Sequence, residues 1–331
     1  MKKKIDFLDL GQQPLANYYL RKNQIKNKER TYRLIICFND ESKLVSIKKT
    51  FSSKMMFNNK YPYRSSMSKT MQKSFKQLAE QIKKKFHPKK ILEIGSNDGS
   101  FLKNFDKKIT IGIEPCSNVE KITKKLKFNT IPEYWNIKQA SKILKKYNKI
   151  DLIYSANTIS HIKNLDDVFN SINLVLSQNG ILIIEDPSLL ECLKRNTYDQ
   201  FYNEHIYVFS YIALTNILKK YKLEIFRIEN LDIHGGSNRY FIKKLDSKRK
   251  IQSSVLKQKK KEIKYGLNKK STYFSFKQRV EKSKEKLVSI FKKCKIKNKK
   301  IIGYGATAKS TTILNYCKIN SSTIDYFLDT T

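Results

Sequence analysis

The sequence has no long apolar run. In 331 residues, no stretch approaches the roughly 18 apolar residues that a membrane-spanning helix needs. The N-terminus is basic over residues 1–4, but Asp6 and Asp9 interrupt the apolar residues that follow, so we expect no secretory signal peptide. We therefore expect a cytoplasmic protein without membrane contact.

Cysteine is also scarce, and the cysteines form no close pairs in the sequence. The five cysteines stand at positions 37, 116, 192, 294 and 317. This spacing is typical of reduced thiols in a cytoplasmic protein rather than of a disulfide framework.

Arginine, the usual base-reading residue, is rare, although the formal net charge is +39. The lysines are spread along the whole chain, and aromatic residues are not interleaved with basic ones in any RNA-binding pattern. We interpret the charge mainly as a solvated lysine surface, and nucleic acid is not an expected partner. The alternative is that the charge helps to bind something anionic.

What the chain does contain is a long alternation of strand and helix patterns. Predicted strands cover residues 91–94, 109–113, 151–155, 180–185, 224–229 and 238–242. Helical spacing fits residues 71–86, 100–106, 117–127, 137–147, 166–176 and 211–221. The alternation predicts an α/β fold with a mostly parallel sheet, closed by an antiparallel pair of strands around His234.

Four regions follow from these patterns. Residues 1–70 form a predicted N-terminal lobe, and residues 71–245 form the central α/β domain. Residues 246–298 are predicted to be one or two lysine-rich linker helices, and residues 299–331 begin a further domain. One strand–helix–strand unit cannot cover its own sheet, so we expect this last domain to be incomplete.

The most informative stretch is a glycine loop after the strand at residues 91–94. The loop reads Gly95-x-x-x-Gly99, with Ser, Asn and Asp between the glycines, and the next predicted strand ends in Glu114. Glycines let the backbone approach a ligand closely, and the acid accepts hydrogen bonds from ribose hydroxyls. The polar loop suits S-adenosylmethionine (SAM), with its amino-acid tail, better than a pyrophosphate. An ordinary turn without a ligand is the alternative.

The segment Tyr202-x-Glu204-His205 is the strongest candidate for a catalytic site. It places a phenol, a carboxylate and an imidazole within four residues after the fourth predicted strand, and two more of the four histidines, His161 and His234, lie near strand ends. A histidine can take a proton that a nearby ketone has acidified, while phenols hold the developing enolate oxygen. Glu204 could orient the ring or contact a sugar hydroxyl. The alternative for each histidine is a hydrogen-bonded structural role.

A second glycine loop lies near the C-terminus. It reads Gly303-x-Gly305-x-x-Ala308-Lys309, and the strand that follows ends in Asp329. This pattern again resembles a nucleotide-binding strand–helix–strand unit.

Together these elements resemble one family, the SAM-dependent C-methyltransferases that act on nucleotide-linked keto-sugars. The resemblance runs over nearly the whole chain and includes a Tyr-x-Tyr-x-Ser-Ser element. The matching elements, in chain order, are residues 8–17, 61–66, 93–99, 112–115, 161, 202–205, 234–239 and 303–309.

The resemblance implies a class I SAM-dependent methyltransferase core of Rossmann-like type, between a small zinc-binding-type N-terminal lobe and a C-terminal Rossmann-like domain that helps to hold a nucleotide-sugar. It also implies methylation at C3, beside a 4-keto group, in deoxysugar biosynthesis. In that chemistry the histidine matching His205 takes the C3 proton, and the enolate attacks the SAM methyl. Tyr63, Tyr202 and His161 match residues around the sugar, with Tyr61 as the alternative to Tyr63.

Three sets of site residues are therefore predicted. The catalytic set is Tyr63, His161, Tyr202, Glu204 and His205. The cofactor set is Glu93, Gly95, Asn97, Asp98, Gly99, Glu114 and Asn157. The substrate set is His234, Gly235, Gly236, Arg239, Gly303, Gly305 and Lys309.

The sequence departs from the family pattern at both ends. Family members carry two Cys-x-x-Cys pairs, which suit a tetrahedral zinc ion, whereas here the second pair is reduced to Cys37. We expect no zinc and a lobe held by packing. The C-terminal domain stops where the family's continues, so we expect a C-terminally shortened chain with weaker nucleotide-sugar affinity or a fragment of a split gene.

The sequence thus favours a SAM-dependent enzyme that adds a methyl group to C3 of a nucleotide-linked 4-keto-hexose. One alternative is a SAM methyltransferase acting on RNA or on another small molecule. Another is a decayed relative that binds a nucleotide-sugar without turnover, although the intact Tyr202, Glu204 and His205 argue against decay. The nucleotide, the sugar and the oligomeric state stay open.

Overall fold

The computed structural model describes residues 4–27 and 29–329. The strands are β1 (Lys4–Pro14), β2 (Thr31–Asn39), β3 (Val45–Ile47), β4 (Ile91–Ile94), β5 (Thr110–Ile113), β6 (Thr130–Ile131), β7 (Ile150–Ala156), β8 (Leu176–Pro187), β9 (Tyr207–Val208), β10 (Leu223–Leu231), β11 (Ser237–Lys244), β12 (Ile302–Tyr304) and β13 (Tyr326–Leu328). The helices are α1 (Ser53–Met56), α2 (Lys69–Phe86), α3 (Ser117–Lys125), α4 (Ile137–Tyr147), α5 (Leu165–Val175), α6 (Leu189–Arg195), α7 (Tyr211–Leu218), α8 (Ser253–Tyr265), α9 (Lys270–Ile296) and α10 (Ala308–Cys317).

The largest sheet has seven strands in the order β10-β11-β8-β7-β4-β5-β6. Strands β4 to β8 pair in parallel, and β11 runs antiparallel to both of its neighbours. The order reverses at β4, because the chain first builds outward to β6 and then returns to the other side of β4. This is the strand order of a class I methyltransferase core, and the predicted α/β fold class is confirmed.

Alternating burial explains why these strands form a two-faced sheet. Ile153 of β7 packs with α4, α5 and α7 on one face, whereas its neighbours Leu152 and Tyr154 pack with α2 on the other. Successive side chains of a strand point to opposite faces, so a continuous apolar run is buried on both sides. Helices therefore cover both faces of the sheet, and the loops at the carboxyl ends of its strands extend from this buried core.

The N-terminal residues form a second, antiparallel sheet in the order β1-β2-β3-β9. Its last strand, β9, comes from the chain just after residues 202–205, so the small sheet is joined directly to the segment with the catalytic candidates. The side chain of Asn203 strengthens this connection by donating to the carbonyl oxygen of Pro14 at 2.7 Å. Residues 4–14, which the sequence did not mark as a strand, form the longest strand of this sheet.

The C-terminal part consists of α8, α9 and a parallel pair of strands, β12 and β13, joined through α10. Helix α10 packs against β1, where Gln13 Nε2 donates to the carbonyl oxygen of Thr312 at 3.4 Å. This contact brings the second glycine loop to the same side of the molecule as the N-terminal lobe.

One predicted helix is wrong. Residues 100–106 form only a 3₁₀ turn, Leu102–Asn104, instead of an α-helix. Asn104 donates its side-chain amide to the carbonyl oxygens of Ser100 and Phe101, which a continuing helix would use. Asp106 then caps the next turn through the amide of Lys108. Such local side-chain bonds compete with helix formation.

Among residues 4–27 and 29–329, no helix is both long and apolar enough to cross a membrane.

Candidate active site

A cleft of about 1060 Å³ opens at the carboxyl ends of β4, β5 and β7, beside the point at which the strand order reverses. Open α/β sheets bind ligands at such a point. The central domain supplies most of the wall. Asn17, Tyr19 and side chains between residues 53 and 68 of the N-terminal lobe add to it, and residues 306–309 and Asp329 of the C-terminal part complete it.

The glycine loop forms one end of the cleft. Gly95 has a φ angle of +73°, and its amide and that of Ser96 both donate to the carbonyl oxygen of Ile113. A Cβ atom at Gly95 would lie 2.2 Å from Thr158 Oγ1, so both the backbone conformation and the close approach require glycine here.

Two buried carboxyl groups flank this loop. Glu114 accepts hydrogen bonds from the amides of Asn97, at 3.0 Å, and Cys116, at 2.8 Å, one on each oxygen. Glu93 Oε2 is buried and has no partner among the described residues. Burial raises the pKa of both carboxyl groups, that of Glu93 well above its usual range. An uncompensated buried carboxyl group is a strong acceptor for a cationic ligand.

The side chains of two predicted cofactor residues, Asn97 and Asp98, hold a neighbouring segment. Asn97 Oδ1 accepts from the amide of Ser65, and Asp98 Oδ2 accepts from the amide of Ser66, both at 2.9 Å. These bonds fasten residues 61–66 over the glycine loop. Asn97 lines the cleft, as do Glu93, Gly95, Glu114 and Asn157, whereas Asp98 and Gly99 do not.

The other end of the cleft contains His205, whose two ring nitrogens are both hydrogen-bonded. Nδ1 lies 2.7 Å from the carbonyl oxygen of Gln200, and Nε2 lies 2.8 Å from the hydroxyl oxygen of Tyr202. A carbonyl oxygen only accepts, so in the neutral ring Nδ1 carries the proton and Nε2 presents its lone pair to the Tyr202 hydroxyl. The hydrogen-bond network therefore orients Nε2 as a base.

Burial keeps this imidazole neutral. It lowers the pKa of His205 well below its usual range, and the neighbouring His161 and Lys309 lower it further. The pKa of His161 is lowered to about 4 by burial. The His161 ring stacks on His205 at 5.1 Å and on Phe57 at 5.5 Å, between centroids.

Glu204 is held by residues from two distant segments. Asn17 Nδ2 donates to Oε1 at 2.8 Å, and the Tyr61 hydroxyl donates to Oε2 at 3.4 Å. Burial raises the pKa of Glu204 to about 7, and these two hydrogen bonds oppose the rise. Asn17 was not among the predicted site residues.

Both tyrosines of the Tyr-x-Tyr-x-Ser-Ser element line the cleft, but they are placed differently. Tyr61 reaches Glu204, and burial raises its pKa well above the usual range. Tyr63 is 41% exposed and contacts the glycine loop through its carbonyl oxygen, which accepts from Asn97. Tyr61 therefore lies closer to the catalytic candidates than Tyr63 does.

Of the predicted substrate residues, His234 and Lys309 line the cleft. Burial lowers the pKa of Lys309, while Asp199 and Cys192 oppose this shift. Burial, with a contribution from Lys309, lowers the pKa of His234 to about 4. The cleft that Lys309 lines is thus also the cleft that contains the imidazoles of His161, His205 and His234.

The other predicted substrate residues lie outside the lining of the cleft. Arg239 is buried in β11, where it forms ion pairs with Glu185 and Glu229. Gly235 and Gly236, with φ angles of +80° and +111°, turn the chain from β10 into β11. The remaining two residues of the substrate set are Gly303 and Gly305. A Cβ atom at Gly303 would clash with the ring of Phe327, and the amide of Gly305 donates to the carbonyl oxygen of Leu328.

Several lining residues escaped the sequence analysis. Tyr134 and Trp135 add an aromatic wall near Glu114, and the Tyr134 hydroxyl donates to the carbonyl oxygen of Phe57. Gln200 lies outside the lining and orients His205 through its backbone carbonyl, which any residue could supply, so residue type carries no signal for that role. Asn17 did have a signal, because it ends the matching segment at residues 8–17.

The N-terminal lobe does not fit a zinc ion. Cys37 is buried in β2 and its thiol donates to Asp6, and burial, with Asp6, raises its pKa to about 12. A tetrahedral site needs four nitrogen or sulfur ligands as a rule. Over the described ranges, no group of three or more potential ligands comes together. The expected absence of zinc stays a prediction.

Two solved structures show low similarity to this chain. A SAM-dependent methyltransferase from Clostridium acetobutylicum is 15% identical, with a TM-score of 0.41 over 52% of this chain and 91% of that one. A SAM-dependent methyltransferase from Thermotoga maritima is 17% identical, with a TM-score of 0.38 over 51% of this chain and 87% of that one.

A curated relative is the C-methyltransferase NovU of Streptomyces niveus. It is 25% identical over 243 residues, which are 73% of this chain and 58% of NovU. The match therefore spans little more than half the length of that relative.

Three family models match in succession. Residues 1–57 match "Putative zinc binding domain", residues 63–227 match "Methyltransferase domain", and residues 232–331 match "C-methyltransferase C-terminal domain". They follow in this order over nearly the whole sequence, as the resemblance implied. The chain thus matches, in chain order, a zinc-binding-type domain, a methyltransferase domain and a C-methyltransferase C-terminal domain.

Proposed function

We propose that this chain is a SAM-dependent methyltransferase that adds a methyl group to C3 of a nucleotide-linked 4-keto-hexose. The observation that carries the proposal is the pairing, in one cleft, of the glycine loop with a neutral His205 whose Nε2 is oriented as a base. The similarity to NovU, a C-methyltransferase, supports transfer to carbon.

The residues at the glycine-loop end fit SAM. Glu93 Oε2, buried without a partner, would accept from the ammonium group of the amino-acid tail. Glu114 uses one lone pair of each oxygen for backbone amides and would accept ribose hydroxyls with the others. Gly95 and Asn157 would give the cofactor access to the backbone. When bound, SAM supplies an activated methyl group.

The base would act on the carbon beside the ketone. His205 Nε2 takes the C3 proton, and the electron pair of that C–H bond moves onto the 4-keto oxygen. In the structure the Tyr202 hydroxyl is hydrogen-bonded to Nε2. This hydroxyl must turn away before Nε2 can accept the proton. The keto oxygen is then a suitable acceptor for the hydroxyl. C3 of the enolate then forms a bond to the transferred methyl group, and the sulfur keeps the electrons of the broken bond.

Lys309 and the hydrogen-bond donors around the imidazoles would stabilise the charge that develops in this step. Lys309 lines the cleft and affects the pKa values of both His205 and His234, so its ammonium group is close to the reacting region. Preorganised positive groups in a water-poor site stabilise an enolate more than they would in water. Glu204, held by Asn17 and Tyr61, would accept a sugar hydroxyl.

Two readouts test the proposal. The purified chain is incubated with SAM and thymidine-diphosphate-linked 4-keto-6-deoxyglucose, and mass spectrometry follows the gain of one methyl group. In parallel, NMR in D₂O without SAM follows deuterium exchange at C3. We expect both reactions with the wild type and neither with His205→Asn. Methylation on oxygen, or the absence of both reactions in a chain that binds SAM, would overturn the proposal.

A further inference from the structure

A single-turn 3₁₀ helix, Tyr198–Gln200, ends just before the segment with the catalytic candidates. The backbone hydrogen bonds of this turn end on the carbonyl oxygens of Thr197 and Tyr198, both at 3.1 Å. The carbonyl oxygen of Gln200 instead accepts from His205 Nδ1. A lone 3₁₀ turn has poor hydrogen-bond geometry of its own. The position of the Gln200 carbonyl therefore depends on the other contacts that hold the turn.

The side chain of Gln200 makes one such contact. It is buried, and its Nε2 donates to the carbonyl oxygen of His234 at 2.6 Å. This hydrogen bond fixes the orientation of the amide, because a flipped amide would place Oε1 against the carbonyl oxygen of His234. Gln200 thus joins two histidines of the cleft. Its backbone carbonyl holds the ring of His205, and its side-chain amide holds the backbone of His234.

The other polar atom of this amide has no partner. Gln200 Oε1 is buried and unpaired among the described residues. An unpaired buried amide oxygen lowers the stability of the fold, whereas an apolar side chain of similar shape, such as methionine, avoids that loss. Stability alone therefore does not account for a glutamine at this position, and a positioning role does.

The turn that accepts this hydrogen bond has an unusual backbone. His234, Gly235 and Gly236 have φ angles of +51°, +80° and +111°. A positive φ angle is uncommon for a residue with a Cβ atom, so the backbone of His234 needs contacts that hold it. The amide of Gly236 donates to the carbonyl oxygen of Ile233 at 2.9 Å, and the hydrogen bond from Gln200 adds a second restraint. Gln200 thereby also helps to place the His234 side chain, which lines the cleft.

Helix α10 holds the other end of the 3₁₀ turn. The ring of Tyr198 packs edge-on against Tyr316, with 5.7 Å between centroids, and its hydroxyl lies 3.9 Å from Cys317 Sγ. These contacts restrain Tyr198, which lies two residues before Gln200. The peptide group that faces His205 is therefore left to the Gln200 side chain.

We propose that the side chain of Gln200 is a positioning residue for the base. By holding the turn, it keeps the Gln200 carbonyl oxygen against Nδ1 and so keeps the proton of neutral His205 on that nitrogen. A neutral imidazole carries its proton on either nitrogen, and the hydrogen bond at one nitrogen decides which. Without this carbonyl, Nε2 takes the proton and donates to the Tyr202 hydroxyl oxygen. The inference rests on the proposed function, in which the lone pair of Nε2 accepts the C3 proton.

The test is long-range ¹H–¹⁵N NMR of the full chain with ¹⁵N-labelled histidine, which distinguishes protonated from unprotonated ring nitrogens. The spectrum of His205→Asn identifies His205 among the four histidines. In the wild type we expect a single tautomer of His205, with the proton on Nδ1. Gln200→Met keeps the shape but removes the donor, so it should lose this single tautomer. Deuterium exchange at C3 should fall about tenfold, the effect of one lost buried hydrogen bond, with unchanged affinity for S-adenosylhomocysteine.

Gln13→Met is the matched control. Gln13 is also buried, its Nε2 donates to the carbonyl oxygens of Leu10 and Thr312, and its Oε1 is unpaired among the described residues, but it lies in β1. Gln13→Met should lower the melting temperature as Gln200→Met does and leave the tautomer of His205 unchanged. The pair of variants thus separates a positioning role from a loss of stability.

Two results would overturn the inference. One is a single Nδ1-protonated tautomer with a wild-type rate of exchange in Gln200→Met, and the other is the same change of tautomer in Gln13→Met. If Gln200→Met does not fold, Gln200→Asn replaces it with the same expectation, because the shorter amide does not reach the carbonyl oxygen of His234. A wild type without exchange at C3 would overturn the proposed function, and the tautomer, measured without substrate, would still decide the role of Gln200.

Discussion

The two ends of the cleft are built in different ways. At the glycine-loop end, the key groups lie within residues 93–116, and most of their hydrogen bonds go to backbone atoms of the same segment. At the histidine end, Glu204 and His205 depend on Asn17, Tyr61 and the carbonyl oxygen of Gln200. Local sequence therefore determines the first end, whereas the protonation state of the second depends on contacts between distant segments.

The comparison predicts that cofactor binding and catalysis can be impaired separately at the two ends of the cleft. The largest effect on turnover is expected for a change at His205. His205→Asn removes the lone pair at Nε2 and should lower turnover by about 1000-fold, within the usual range for a general base. Affinity for S-adenosylhomocysteine should stay within a few-fold, because the glycine loop is untouched. The measurement is steady-state methyl transfer beside a calorimetric titration. Normal turnover would exclude His205 as the base.

The complementary change is Glu114→Ala at the cofactor end. It removes the acceptor of the ribose hydroxyls and releases the amides of Asn97 and Cys116, so affinity for S-adenosylhomocysteine should fall by about 1–3 kcal/mol. Glu133→Ala, in the same wall, is a control without these bonds. An unchanged affinity in Glu114→Ala would remove this residue from the cofactor site.

The raised pKa of Glu204 predicts a pH dependence at the histidine end. Below about pH 7 the carboxyl group is protonated and loses its capacity as an anionic acceptor, so kcat/KM should rise with pH through this value. His161, with a pKa of about 4, is already neutral there and does not contribute.

Two variants identify the carboxyl group that causes this pH dependence. Glu204→Gln should flatten the profile, whereas Asp186→Asn should leave it in place, although burial also raises the pKa of Asp186 to about 7. Asp186 accepts from Ser160 and does not line the cleft. A profile that follows Asp186 instead of Glu204 would contradict the role given to Glu204.

The smallest effect is expected for Asn17, which acts through Glu204. Asn17→Ala removes one hydrogen bond and should lower kcat/KM by about fivefold, in line with roughly 1 kcal/mol for such a bond. Its loss also removes a hydrogen bond that opposes the rise in the pKa of Glu204, so the pH profile should move to higher pH. A uniform loss of rate with no shift would indicate a merely structural role.

These differences explain what could be predicted from the sequence. Gly95, Glu114 and His205 could be named from the sequence because residue type and position after a strand carry their signal, and all three line the cleft. Asp98 was assigned to the cofactor, but its carboxylate holds Ser66, a partner 32 residues away that no local pattern reveals.

The predicted helix at residues 100–106 is wrong for a similar reason. Apolar spacing does not indicate the hydrogen bonds that the Asn104 side chain makes to the backbone. The sequence also does not indicate which nitrogen of His205 carries the proton. The position of this proton is set by a backbone carbonyl, at Gln200, and only the folded chain brings that oxygen to Nδ1.

The most direct test of the separation between the two ends is a calorimetric titration with S-adenosylhomocysteine of the wild type, His205→Asn and Glu114→Ala. The account predicts micromolar binding by the wild type and by His205→Asn, and a clear loss of affinity in Glu114→Ala. A wild-type chain that melts cooperatively and yet binds no S-adenosylhomocysteine would contradict it.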